Sequence, residues 1–189
     1  MPTTIARTGL TLPNALFIIA AWAAVASIGS QPAAAAMPHL RPESADAREL
    51  LRDASAHSST VRALVDRLER SDVVVYIRFT RFADTALEGR ASFLARAGGV
   101  RYVVIELACA RMRTPRMAIL AHELQHAVEI ADAASIVGTR TLAEHYLRIG
   151  VRLTDAFHHE TFETQTALDI AAQVRREILA TPVRTTEEQ

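Results

Sequence analysis

The stretch 119–130, I-L-A-H-E-L-Q-H-A-V-E-I, leaves this chain the fewest choices. On an α-helix the histidines of H-E-x-x-H, His122 and His126, stand four residues apart and project from one face, where they can share a divalent metal. Glu123 then lies about 100° round the helix, beside that metal. A zinc held by two imidazoles and a third ligand keeps an open position for water and lowers its pKa toward neutrality. A carboxylate beside that water can take its proton and return it to a leaving amine. The residues around the motif, from Ile119 to Val128, are otherwise uncharged, which suits a helix buried on several sides. The competing reading is an ordinary helix with two hydrogen-bonded histidines.

The rest of the chain reads as support for this helix. Arg7 precedes an apolar run over 16–28, and the small-residue stretch 33–36 closes with an A-x-A pattern, so 1–36 reads as a secretory signal peptide. The protein is then expected to be exported, periplasmic or secreted; the alternative is an uncleaved N-terminal helix that anchors it to a membrane. Residues 37–180 read as one domain with its own core, and the polar stretch 181–189 as a disordered tail. With 21 basic and 21 acidic residues, the chain has no electrostatic case for binding nucleic acid or an anionic membrane. Cys109 is the single cysteine, so no internal disulfide can form, and its apolar neighbours mark it as a buried small residue.

Hydrophobic spacing predicts helices over 42–54 and 59–70. β-branched and aromatic runs predict strands over 73–79, 90–95 and 100–107, the last two joined as a hairpin across Ala97-Gly98-Gly99. The motif helix is expected to start at Thr114 as cap, with Pro115 in the first turn, and to run to about Ala133. A short helix over 142–149, closed by Gly150, leads through a polar loop to a last helix over about 161–179. The fold class is α+β: about five helices and a small, mostly antiparallel three-stranded sheet.

H-E-L-Q-H-A-V resembles the active-site helix of the thermolysin-like gluzincins, within the zincin class of zinc metallopeptidases. It is also similar to small exported bacterial proteins carrying H-E-L-Q-H. The resemblance covers 119–130 and implies a minimal zincin-like domain with Zn2+ on His122 and His126, Glu123 as general base and a glutamate ligand from a later helix. It implies further that the edge strand of the sheet lines the substrate cleft, where a peptide binds by adding a strand. Metzincins continue with a glycine and a third histidine; here Ala127-Val128-Glu129-Ile130 follows, which disfavours them. The function so implied is an exported zinc-dependent metallopeptidase whose partner is a peptide or protein substrate. Two alternatives stand beside it: a non-enzymatic envelope protein with a zincin-like fold that binds metal or a protein partner, and a helical domain with no metal.

Several side chains compete to be the third ligand. Glu129 is about 10 Å along the axis from His122 and is better placed to orient His126 from behind. Glu144 points away from the buried stripe of Leu142, Tyr146 and Ile149, so it reads as solvated. Glu163 is in register with the apolar stripe of Ala167, Ile170, Val174 and Ile178, where a carboxylate needs a strong partner. Zinc would be such a partner; a helix start is the other explanation. Glu163 leads, with Glu160, Asp155, His158 and His159 also open. Thermolysin-like enzymes follow this glutamate with an aspartate four residues on, where this chain has Ala167. His159 and Tyr146 are the leading candidates to donate to a developing oxyanion, ahead of His145 and His158.

Overall fold

The computed structural model describes residues 38–109, 112–154 and 160–180. The expected leader and tail, together with Asp155, His158 and His159, lie outside the described residues, and Glu160 is described by its backbone alone. Among the described residues the order is β1 (Leu40–Pro42), α1 (Ala45–His57), α2 (Ser59–Glu69), β2 (Val73–Thr80), β3 (Gly89–Ala97) and β4 (Val100–Ala108). Then follow α3 (Arg113–Asp132), α4 (Thr139–Ile149), β5 (Val151–Thr154), β6 (Glu160–Glu163) and α5 (Gln165–Ala180).

The arrangement is mixed α+β with five helices, but the sheet differs from expectation. It has four strands in the order β1-β2-β4-β3, with β1 and β4 both parallel to β2 and only β3 antiparallel to β4. β1 is three residues ending in proline, too short to show alternation and tolerable only at an edge. The Gly98-Gly99 turn, with positive φ at both residues, folds β3 outward as the opposite edge and leaves β4 to pair with β2. A further hairpin, β5–β6, occupies what reads as a polar loop and the start of the last helix. Cys109, expected to be buried, is exposed, because it lies in the turn just past β4 where the strand's alternation has ended.

Val73, Val75 and Ile77 of β2 and Val103, Ile105 and Leu107 of β4 are at most 1% exposed and form the face against which α3 packs. Each such side chain contributes about 1.5–3 kcal/mol by leaving water. α2 and α5 pack on other sides of α3, so that helix is buried almost all round and shows no amphipathic stripe. Its start is also two residues earlier than the Thr114 cap predicts: Met112 stands at the cap position without a side-chain hydrogen bond, and Thr114 and Pro115 fall within the first turn. Its other end is closed by Arg101 of β4, whose guanidinium donates to the carbonyls of Ile130, Ala131 and Ala133 and to both carboxylate oxygens of Asp72.

α5 is held against the start of α2 by Glu177, which accepts from Ser58 Oγ, from Thr60 Oγ1 at 2.7 Å and from Thr60 N at 3.2 Å. Burial alone would raise this carboxyl, but the donors from Ser58, Gln173 and Thr60 outweigh it and draw it from 4.5 down to about 2. The folded value is the lower one, so the contribution is complete above the unfolded value and disappears as pH falls through about 2. Glu177→Gln is expected to cost about 1–2 kcal/mol at neutral pH. Urea titrations of parent and variant should show the gap closing between pH 4.5 and pH 2.

Candidate metal centre

α3 carries His122 and His126 one turn apart, and their Nε2 atoms stand 3.2 Å from each other. Glu163, the last residue of β6, brings Oε2 to 3.2 Å from His122 Nε2 and Oε1 to 3.6 Å from His126 Nε2. The ligand atoms of all three residues lie within 4.8 Å of one another. Ligands held at 2.0–2.2 Å around a tetrahedral ion are about 3.3 Å apart, so the spacing fits zinc on two imidazoles and one carboxylate. Burial would raise the Glu163 carboxyl, yet hydrogen bonds from His122 and His126 draw it down to about 2. Burial would lower His126, yet hydrogen bonds to Glu129 and Glu163 and the charge of Glu123 raise it to about 10. A cluster that gathers positive charge so strongly can exchange that proton for a divalent cation.

Glu163 reaches this place by a different route from the one the sequence suggests. Thr161 and Phe162, β-branched and aromatic, pair with Leu153 and Arg152 instead of joining a helix, and α5 begins only at Gln165. Gly150 makes the approach possible, since a Cβ there would meet the Glu163 carbonyl oxygen at 2.5 Å. Thr164 caps α5, accepting from Ala167 N at 3.2 Å, and the same hydroxyl donates to Glu129 Oε1 at 2.7 Å. Glu129 Oε2 in turn is 2.8 Å from His126 Nδ1. Burial works against the Glu129 carboxylate, but its hydrogen bond with His126 keeps it below the usual range. One chain of contacts thus runs from the α5 cap to the back of the His126 imidazole and aims its Nε2 toward His122 and Glu163.

Glu123 is 5% exposed, and burial raises its carboxyl above the ordinary value despite the nearby histidines. Its carboxylate rests against the start of β3 and takes a hydrogen bond from the backbone of Ala91. A Cβ on Gly89 would come within 2.6 Å of Glu123 Oε1 and 2.8 Å of Ile119 Cγ2. Gly89→Ala is therefore expected to cost about 1–3 kcal/mol by overpacking. In a Glu123→Ala background the share due to Glu123 should vanish while the contact with Ile119 Cγ2 remains, and denaturation of the four variants of the cycle measures the difference.

Tyr146 engages the back of His126 with its hydroxyl. Its ring lies on the buried side of α4 behind His126, where the hydroxyl donates to the His126 carbonyl at 3.2 Å and lies 3.4 Å from Nδ1, the nitrogen that faces away from the cluster. Burial and the charge of Glu129 push its ionisation up. Glu144 is exposed and paired with Arg140, apart from the cluster. Sequence reasoning missed Gly89, Gly150 and Thr164; only Thr164 carries a signal, a threonine placed to cap the apolar run that follows.

A cavity of about 450 Å3 opens in front of the cluster, between β3 and the β5–β6 hairpin. Compared with known proteins, the chain matches no family model, no curated protein and no solved structure.

Proposed function

We propose that the protein is a zinc-dependent peptide hydrolase on a minimal zincin-like domain, with His122, His126 and Glu163 as metal ligands and Glu123 as general base. The observation that carries this reading is the convergence of His122, His126 and Glu163, with one donor atom of each within 4.8 Å of the others, beside the buried Glu123 carboxyl, which burial pushes up. Held by His122, His126 and Glu163, a zinc ion would supply a water acidified toward neutrality and a Lewis acid for the scissile carbonyl. Glu123 accepts a proton and passes it to the leaving nitrogen, and a carboxyl raised by burial suits both halves of that transfer near neutral pH. Glu129 holds His126 in the tautomer and orientation a ligand needs. β3 pairs only with β4 among the described residues, so its outer edge offers main-chain donors and acceptors to an extended peptide. With the leader expected at 1–36, the work is done outside the cytoplasm.

Zinc analysis after dialysis tests this directly. The parent and Glu144→Ala are expected to hold one zinc per chain, and Glu163→Ala to lose it. No zinc in the parent, even after reconstitution, would sink the reading. Zinc without cleavage of any peptide would favour a non-enzymatic envelope protein that keeps the metal for stability.

A further inference from the structure

The cleft continues past the cluster on both sides. The 450 Å3 cavity has apolar and aromatic walls, among them Phe93, Leu142, Tyr146 and Phe162. Across the cluster a second cavity of about 350 Å3 runs between the start of β3, α3 and α5, walled by Leu87, Ile119, Leu168 and Ala171. Gly89, His122, Glu123 and Glu163 line both cavities, so the two are halves of one cleft with the cluster at its middle. A carbonyl placed at the cluster would send the chain on either side of it into one of the halves, at about 3.4 Å per residue.

The halves differ in charge. Arg90, in the first, is tied to Glu106 across the sheet. Arg175 lines the second, one turn beyond Ala171 on α5, and forms no hydrogen bond or ion pair with a described residue. Glu88, which lines the same half, has an interaction of its own, and no ion pair links it to Arg175 among the described residues. An exposed guanidinium at the rim of this half, unpaired among the described residues, is a ready fork for a carboxylate.

From this we infer that the second half of the cleft binds a substrate carboxylate on Arg175, so that the preferred substrate is an extended peptide with an acidic group within a few residues of the bond that is cut. The inference rests on the hydrolase reading above. An aspartate or glutamate side chain and a free C-terminal carboxylate offer the same chemistry.

The test uses the zinc-loaded full chain and two peptide libraries, one blocked at both termini and one with a free C-terminal carboxylate, with products read by mass spectrometry. Acidic residues are expected to be enriched roughly tenfold at one position near the cut, the size of one charge-assisted contact. Arg175→Glu should invert that preference toward lysine and arginine while zinc content stays at the parent's. If enrichment appears only in the unblocked library, at a fixed distance from the end, the carboxylate is the C-terminus. Cleavage without acidic preference, or with a preference that Arg175→Glu leaves alone, overturns the inference and spares the hydrolase. No cleavage in either library overturns both.

Discussion

Glu123→Gln is expected to lower peptide cleavage by about 10²–10⁴-fold while the protein keeps its zinc. The amide has nearly the carboxylate's shape, so it still fits the space that Gly89 leaves open. What it cannot do is accept a proton and release it to the leaving nitrogen. The group that could hold a metal is His122, His126 and Glu163, without Glu123, so metal content should not follow activity. Thermal stability should hold or rise, because the substitution removes a buried carboxyl whose ionisation burial already opposes. Zinc analysis and a cleavage assay on the same preparation read both quantities. Loss of zinc together with activity would assign Glu123 to the metal instead, and full activity would remove it from the chemistry.

The part of this site that lies within one helix was legible, because H-E-x-x-H combines with a fixed helical period and needs no knowledge of what surrounds it. Glu129 was legible as a partner of His126 for the same reason. Glu163 was singled out by chemistry, an acid in register with an apolar stripe, although the local structure behind that argument is wrong: the residue closes a strand. The four-residue strands β5 and β6 are too short for alternation to outweigh a helical pattern that resumes at Gln165. Strand order was out of reach for a different reason. Parallel pairing of β2 with β4 is settled by packing under α3, whereas the Gly98-Gly99 turn announces only that β3 and β4 pair. Gly89 and Gly150 matter through what approaches them from elsewhere in the chain, and a single residue's identity does not reveal that.

Arg101→Met is expected to be strongly destabilising, at about 2–4 kcal/mol, because it takes a buried charged donor from three carbonyls and from the half-exposed Asp72. Arg101 is 2% exposed, yet it stands at the edge of the core on β4, where its fork reaches the last carbonyls of α3. The Ile130 and Ala133 carbonyls each already accept one backbone N–H, from Ala133 and Ile136, and the guanidinium adds a charged donor to them and to Ala131 at the negative end of the helix dipole. Methionine fills much of the volume but removes the charged donor from the three carbonyls and from the half-exposed Asp72 carboxylate. Lysine keeps the charge but not the fork, and should recover only part of the loss. Against a total stability of about 5–15 kcal/mol the methionine variant would be marginal, with a fall in Tm of roughly 10 °C. The measurement belongs on metal-free protein, since zinc bound to the folded state alone would mask the difference. A loss below about 1 kcal/mol would mean that water caps α3 as well as the guanidinium does, and that the buried arginine has some other use.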